Sequence, residues 1–234
     1  MNDVTVIVLA KECVPGRVKT RLHPPFSLAE AARIAQGSLD DTIAAVAQVD
    51  ADRMLCVQGA VPAEPGFRQV PQVDGGLDER IGAVIDSIGG AFLIIGMDTP
   101  QVDPRMLQAT IDDWPDDVDA WFGPASDGGF WLLGMRATAE LRSRLGADVR
   151  RGDLVRGVGM SLNDTGAVQR ARLVDAGLHV ADLPTLTDID DVQTLRQVRP
   201  LLPASGALEQ VLEGFGPRDL VGAASAPTSG EVTR

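Results

Sequence analysis

The chain alternates short, continuously apolar segments with amphipathic helical segments, and this alternation constrains the fold more than any other feature. Val4–Ala10 is an unbroken apolar run rich in β-branched residues, as expected for a strand buried on both faces of a parallel sheet. Ser27 and Glu30 form a capping-box pattern, and apolar residues at helical spacing then predict a helix to about Ala47. Strands joined by helical crossovers form layered α/β domains.

The later segments continue the same pattern. Strands are predicted at 53–57, 91–95, 118–122, 130–135 and 179–183, and helices at 77–88, 104–114, 163–176 and 190–198. The segment at 130–135 follows its predecessor too closely for a crossover, so we expect it to be antiparallel. Asp103 should cap the helix that begins at Pro104, and Asp190, with Gln193 three residues on, should cap the helix that follows it. The sequence therefore predicts a three-layer α/β/α domain with a mostly parallel central sheet.

Domain organisation follows from composition. Residues 1–213 are predicted to form a single domain, and from residue 214 the chain is dominated by Gly, Ala, Ser, Pro and Thr, which predicts a disordered tail over 214–234. No apolar stretch approaches the roughly 20 residues needed to cross a bilayer. We therefore expect no membrane span and a cytoplasmic protein, while the sequence leaves a homodimer open.

Composition excludes several classes of function. A formal net charge of -12 with only two lysines argues against a nucleic-acid-binding surface. The two cysteines, without CxxC spacing, exclude a disulfide framework or a cysteine-based zinc site, and the two histidines exclude a histidine-rich metal site. Any bound metal must therefore be a hard cation held by carboxylates.

The loop after the first strand concentrates positive charge. Residues 11–21 hold both lysines of the chain and four cations in all, namely Lys11, Arg17, Lys19 and Arg21. A cationic loop with Gly and Pro at the end of a buried strand is a common site for anionic ligands in α/β proteins, and a mixture of Lys and Arg suits a polyphosphate. The alternative is a surface loop whose cations are simply solvated.

Acidic residues follow the predicted strands at the same edge of the sheet. Asp98 comes directly after an apolar strand, and it is either a metal ligand or a turn aspartate that bonds its own backbone. Asp127-Gly128-Gly129 is either a tight turn or a backbone surface that a ligand approaches closely. Asp188-Ile189-Asp190 has the DxD pattern, which is weak evidence in so acidic a chain. Because Asp190 is also expected to cap a helix, Asp188 is the better metal ligand of the two.

Other enzyme signatures are missing from the sequence. No G-x-G-x-x-G follows the first strand, which disfavours a nicotinamide-binding Rossmann domain, and no G-x-S-x-G elbow of an α/β-hydrolase is present. Cys13 lies in the cationic loop, but no histidine is identifiable as its base. We interpret Cys13 as an incidental small apolar residue rather than a nucleophile.

Five segments together resemble a known family. They are Pro15–Leu22 (PGRVKTRL), Gly76–Arg80 (GLDER), Gly96–Pro100 (GMDTP), Gly123–Phe130 (GPASDGGF) and Asp188–Asp190 (DID). In this order and spacing they resemble the bacterial DUF2064 family, also called rSAM/selenodomain-associated transferase 1, over residues 4 to 200. That family belongs with the GT-A nucleotide-diphospho-sugar transferases and is related to phospholactate guanylyltransferases. This chain departs from it at Phe130-Trp131, where the family has tyrosines, and at Met160–Leu162, which only loosely matches a W-S/T segment.

The resemblance implies a GT-A fold and an Mg²⁺- or Mn²⁺-dependent transfer from a nucleotide donor to a small acceptor. The predicted catalytic residues are Lys19, Arg21 and Asp98. The predicted metal ligands are Asp98, Asp188 and Asp190. The predicted nucleotide-binding residues are Ala10, Lys11, Gly16, Arg17, Lys19, Arg21, Asp127, Gly128 and Gly129.

Three functions follow from this resemblance, in order of preference. The first is nucleotidyl transfer from an NTP to a phosphorylated or carboxylated small molecule, because the cationic loop resembles a triphosphate loop. The second is glycosyl transfer from a nucleotide-sugar, and the third is a catalytically idle domain that binds a nucleotide. The four cations of the loop exceed what a metal-bound diphosphate needs, and this surplus favours the triphosphate donor.

Overall fold

The computed structural model describes residues 4–215. Its strands are β1 (Val4–Lys11), β2 (Asp52–Gln58), β3 (Arg68–Pro71), β4 (Ala91–Gly96), β5 (Ala120–Pro124), β6 (Phe130–Met135) and β7 (Val180–Asp182). Its α-helices are α1 (Leu28–Ala47), α2 (Leu77–Asp86), α3 (Pro104–Asp112), α4 (Ala139–Leu145), α5 (Thr165–Asp175), α6 (Val192–Val198) and α7 (Ala207–Glu213). Short 3-10 helices cover Thr20–Leu22, Arg151–Leu154 and Arg199–Leu201.

The strands form one seven-stranded sheet in the order β3-β2-β1-β4-β6-β5-β7. Neighbours pair in parallel except at β6, which is antiparallel to both β4 and β5. The mostly parallel sheet and the reversed strand at 130–135 are therefore confirmed. Because β6 runs against the others, its first residues lie at the edge where the parallel strands end.

Alternate residues of the central strands pack against helices on opposite faces of the sheet. Val6 and Val8 of β1 belong to a core cluster that includes α1 and α3 residues, whereas Ile7 belongs to a second cluster with α2 and α5 residues. All three β1 residues are fully buried. This two-sided burial explains the continuous apolar run at the start of the sequence and confirms the three-layer α/β/α architecture.

Two predicted caps are confirmed. Ser27 and Glu30 form the capping box of α1, and the Asp103 side chain accepts from the Arg105 N–H at the start of α3. The prediction for Asp190 is wrong, because α6 begins at Val192 and its N-cap is Asp191. Thr194 supplies the hydroxyl that completes the reciprocal cap with Asp191, whereas the sequence interpretation had paired Asp190 with Gln193.

A third core cluster joins the last helices to α1. Phe26 and Ile34 pack there with Ile189 and Leu208, and the Phe26 and Phe215 ring centroids are 5.3 Å apart. Phe215 is therefore packed, although the predicted disordered tail begins at 214. The rest of that predicted tail, 216–234, lies outside the described residues. Within residues 4–215, none of the helices combines the length and apolar character needed to cross a bilayer.

Asp41 of α1 caps α7 across the helix interface. Its carboxylate accepts from the N–H groups of Ala207 and Leu208 at 2.6 and 3.1 Å, and the residue is 5% exposed. Close approach is possible because Gly37 faces Leu208, where a Cβ would lie 2.8 Å from the Leu208 Cα. Burial raises the pKa of Asp41, while the two N–H groups act in the opposite direction.

Replacing this buried cap should destabilise the protein. We expect Asp41→Ala to lower the free energy of unfolding by about 1–3 kcal/mol, because two helix N–H groups lose their acceptor. Urea denaturation followed by circular dichroism measures the change. The control is Asp40→Ala at the exposed neighbouring position, which should stay within about 0.5 kcal/mol of the wild type. Equal stability of the two variants would contradict the capping role.

Candidate functional site

A cleft of about 400 Å³ opens at the edge of the sheet where the parallel strands end. Its lining includes Ala10 and Lys11 at the end of β1, Asp98 after β4, and Asp127 and Gly129 between β5 and β6. Strand ends and the loops that follow them therefore build the cleft, as is usual for ligand sites in open α/β sheets.

Hydrogen bonds between loops fix the acidic segments at this edge. The Ile189 N–H donates to the Asp98 carbonyl at 3.0 Å, and the Ser126 N–H donates to the Leu186 carbonyl at 2.9 Å. The Ser38 hydroxyl of α1 donates to the Met97 carbonyl at 2.7 Å. Backbone carbonyls thus accept the bonds that hold these three loops, which are distant in sequence, in place.

Lys19 lies between two carboxylates. Its Nζ is 2.7 Å from Asp98 Oδ1 and 3.1 Å from Asp190 Oδ1, and its side chain is only 8% exposed. Burial alone would lower the pKa of Lys19, but Asp98 and Asp190 outweigh it and the pKa is raised. The residue has φ 46° and ψ 37°, a left-handed conformation that is uncommon for a residue with a side chain. Such an unfavourable conformation persists where surrounding contacts determine it, often at functional sites.

Arg21 contacts the same acidic residue from the solvent side. Its Nη1 is 3.3 Å from Asp190 Oδ2, and its side chain is 78% exposed. Both carboxylate oxygens of Asp190 therefore contact a cation of the loop.

Asp127, Asp188 and Asp190 form a carboxylate cluster in which one oxygen from each lies within 4.8 Å of the others. Burial, followed by the charge of Asp127, raises the pKa of Asp188 to about 6. A cation placed among these oxygens would relieve both the mutual repulsion and the loss of hydration. The oxygen-only donor set fits a hard divalent cation such as Mg²⁺ or Mn²⁺.

Some of the predicted site residues line the cleft, some lie beside it, and others are absent from its lining. Ala10, Lys11, Asp98, Asp127, Gly129 and Asp188 line the cleft, and Lys19, Arg21 and Asp190 lie beside it through their contacts with Asp98 and with one another. Gly16, Arg17 and Gly128 are absent from the lining. The metal set predicted from sequence contained Asp98, whereas the carboxylate cluster contains Asp127 in its place and leaves Asp98 in contact with Lys19.

Gly128 has a packing role in the loop between β5 and β6. It has φ 90°, and a Cβ at this position would lie 1.9 Å from the Asn163 carbonyl oxygen. The Gly166 N–H donates to the Gly128 carbonyl at 2.8 Å, and the Gly129 N–H donates to the Asp127 carboxylate at 2.8 Å. The loop is therefore a tight turn whose backbone packs directly against the start of α5.

Sequence reasoning assigned no role to several polar residues of the cleft. Gln72 donates its side-chain amide to the Ala10 and Cys56 carbonyls, which fixes it across the ends of β1 and β2. Arg80 at the start of α2 donates to the Gly75 carbonyl at 3.0 Å and faces Gln72. Arg80 belongs to Gly76–Arg80, one of the segments that carry the family resemblance, and its place in that segment could have marked it as a candidate site residue. Nothing local in the sequence distinguishes Gln72.

Cys13 should behave as an unreactive thiol. Burial, assisted by the negative charge of Asp98, raises its pKa to about 11, and the pKa of buried Cys56 is likewise about 11. Because the thiolate is the reactive species, we expect the folded protein to resist iodoacetamide at pH 8, while the denatured protein reacts at both cysteines. Intact-mass spectrometry after timed alkylation measures this. Rapid alkylation at Cys13 alone would contradict the interpretation of this residue as an unreactive thiol.

Comparison with known proteins places this chain in a family. Residues 31–160 match the model of DUF2064, described as an uncharacterized protein conserved in bacteria. The chain belongs to this family. The DUF2064 match includes Asp98 and Asp127 but ends before Asp188, and it begins after Lys19. No curated protein matches the sequence.

Solved structures share the fold of this DUF2064 member. A protein of Desulfovibrio desulfuricans G20, designated a nucleotide-diphospho-sugar transferase, is 24% identical with a TM-score of 0.76 over 92% of this chain and 95% of that chain. A cytidylyltransferase of Leptospira borgpetersenii is 10% identical with a TM-score of 0.50 over 92% and 94%. A Bacillus anthracis protein, designated a glucose-1-phosphate thymidylyltransferase, is 10% identical with a TM-score of 0.55 over 88% and 99%. At these identities the likeness establishes the fold, which agrees with the GT-A architecture that the resemblance implied.

Proposed function

We propose that the protein is a metal-dependent transferase that uses a nucleotide donor and transfers a nucleotidyl group to a small phosphorylated or carboxylated acceptor. The observation that carries this proposal is the meeting of loop cations and carboxylates beside one cleft. Lys19 and Arg21 come from the loop after β1, and Asp98, Asp188 and Asp190 come from loops after later strands. Cations that bind phosphate and carboxylates that bind metal are the two requirements of phosphoryl-group chemistry.

The carboxylates would hold the metal. Asp188 and Asp190 are the central pair, because they belong both to the predicted ligand set and to the carboxylate cluster. Asp98 and Asp127 are the candidates for the remaining ligand. A divalent cation bound there would supply Lewis-acid stabilisation of phosphate charge.

The cations would hold the polyphosphate. In nucleotidyl transfer an acceptor oxygen bonds to the α-phosphorus while the bond from that phosphorus to the bridging oxygen breaks, and pyrophosphate leaves with the electron pair. Lys19, Lys11 and Arg21 would neutralise the charge that develops on this leaving group. Such catalysis consists of positioning and electrostatics and requires no protein nucleophile, which agrees with the raised pKa of Cys13.

Glycosyl transfer is the second candidate. Lys11 lines the cleft, and Lys19 and Arg21 lie beside it through their contacts with Asp98 and Asp190. Arg17 is exposed, and within residues 4–215 it is neither in the lining nor in an ion pair with these aspartates, so three loop cations rather than four are placed to contact phosphate. The surplus of charge that favoured a triphosphate over a diphosphate is smaller than the sequence suggested. The charge of the loop alone therefore does not decide between nucleotidyl transfer and glycosyl transfer, and identification of the reaction products does.

Two product assays separate the candidates. The purified protein is incubated with Mg²⁺, each of the four NTPs and a panel of phosphorylated and carboxylated acceptors, and pyrophosphate is measured. A parallel panel of nucleotide-sugars is measured for nucleoside diphosphate. Acceptor-dependent pyrophosphate supports nucleotidyl transfer, and acceptor-dependent nucleoside diphosphate supports glycosyl transfer. Binding of a nucleotide without turnover in either panel supports the catalytically idle domain and refutes the enzyme.

A further inference from the structure

The ammonium group of Lys19 lies between Asp98 and Asp190, two of the residues that are candidates to hold the metal. It contacts one oxygen of each carboxylate, and Arg21 contacts the second oxygen of Asp190. The Lys19 side chain is only 8% exposed, so its ammonium group is held between the two carboxylates rather than in solvent.

A divalent cation and this ammonium group compete for the same oxygens. Mg²⁺ requires oxygen ligands at about 2.0–2.1 Å, and the Asp98 and Asp190 oxygens already contact Nζ at 2.7 and 3.1 Å. A metal that takes up these two oxygens must therefore displace Lys19. If the Lys19 ammonium loses both carboxylates, its buried positive charge has no partner, and an unpaired buried charge is unfavourable in free energy.

We propose that Lys19 is a specificity-determining residue that disfavours free divalent cations and admits a metal that arrives bound to a polyphosphate. Phosphate oxygens give the displaced ammonium new charge-assisted hydrogen bonds, whereas a free cation gives it none. The ligand of the site is therefore the metal–polyphosphate complex as a unit. This inference rests on the proposed function for the nature of that ligand, but the contact on which it depends is present in the structure itself.

Metal binding without any nucleotide tests the proposal directly. Mn²⁺ affinity is measured by the electron paramagnetic resonance signal of free Mn²⁺ for the wild type, Lys19→Met and Arg17→Met. Methionine preserves most of the apolar stem and removes the charge. We expect Lys19→Met to bind Mn²⁺ about tenfold more tightly than the wild type, because removing a neighbouring positive charge changes the cation affinity of a carboxylate by about a factor of ten or more.

Arg17→Met is the matched control, because it removes an exposed cation of the same loop. It should leave Mn²⁺ affinity within about twofold of the wild type, since exposed charges are strongly screened. If Lys19→Met binds Mn²⁺ no more tightly than Arg17→Met does, the proposal is overturned. That result would leave the proposed transferase activity untouched, because product release is measured separately.

A second measurement uses the unmodified protein, in case Lys19→Met does not fold. The chain contains only two lysines, so a ¹⁵N spectrum of lysine ammonium groups contains at most two signals. Lys11→Arg assigns them. We expect Mg²⁺ alone to leave the Lys19 signal unchanged and Mg²⁺ with tripolyphosphate to shift it. A shift with Mg²⁺ alone would overturn the proposal, as would an unchanged signal with tripolyphosphate bound. If tripolyphosphate does not bind, the proposed donor class is wrong, and the titration with Mg²⁺ alone still decides the role of Lys19.

Discussion

Asp98→Asn should lower turnover by about 10²–10³-fold, the usual range for removing one group that stabilises transition-state charge. The carboxylate lines the cleft, lies two residues after the end of β4 and contacts Lys19 at 2.7 Å. Substitution removes a candidate metal ligand and the closest partner of a predicted catalytic lysine. Steady-state kinetics in the assay that detects wild-type turnover measures the effect, and thermal unfolding confirms that the fold is intact.

Asp103→Asn is the matched control. It changes one charge in the same loop between β4 and α3, five residues further along the chain, and asparagine caps a helix about as well as aspartate. Turnover of this variant should therefore equal that of the wild type. If Asp98→Asn retains more than a tenth of wild-type turnover, Asp98 is a turn residue, which is the alternative that the sequence left open.

Gly128→Ala should be the most destabilising single substitution in the β5–β6 loop. The added Cβ would lie 1.9 Å from the Asn163 carbonyl oxygen, and φ is 90°, where L side chains are strained. Steric overlap and the strained φ together should lower the free energy of unfolding by about 2–4 kcal/mol. In a chain of this size, that corresponds to a fall of roughly 5–15 °C in melting temperature. Chemical denaturation measures the former and calorimetry the latter.

Gly177→Ala separates the two contributions. Gly177 has φ 83°, close to that of Gly128, but a Cβ there would have no atom within 4 Å. We expect it to cost about 1 kcal/mol from the backbone conformation alone. Equal destabilisation by the two substitutions would show that Asn163 moves aside at little cost and that Gly128 is required only for its conformation.

Local signals explain what the sequence predicted correctly about the fold. The apolar run of β1 and the Ser27–Glu30 capping box are each complete within a few residues, so they could be identified without knowing any partner. β3 was missed because it is a four-residue edge strand that ends in Pro71 and buries little surface. α7 was missed because its N-terminal acceptor is Asp41, which lies in a different helix and is invisible to a local pattern.

In the candidate site, too, features encoded locally in the sequence were predicted, and features that depend on a distant partner were not. Strand ends predicted that acidic loops would meet at one edge, and the structure brings Asp127, Asp188 and Asp190 together there. The sequence could not show that Lys19 pairs with Asp98, because a charge reveals its partner only when the fold is known. The predicted cap at Asp190 was wrong for a related reason, since two adjacent aspartates precede α6 and only Thr194 distinguishes them.

The contact between Lys19 and Asp190 spans 171 positions of the chain and has a consequence for biosynthesis. A nascent polypeptide that has been synthesised only through β4 and the loop after it carries Lys19 and Asp98 but neither Asp188 nor Asp190. The segment that supplies these two aspartates is anchored by Ile189, which is fully buried against residues of α6 and α7. Translation must therefore proceed well past residue 190 before the acidic site is complete. Products of premature termination or of proteolytic cleavage upstream of Asp188 would contain most of the sheet and yet be unable to assemble the site.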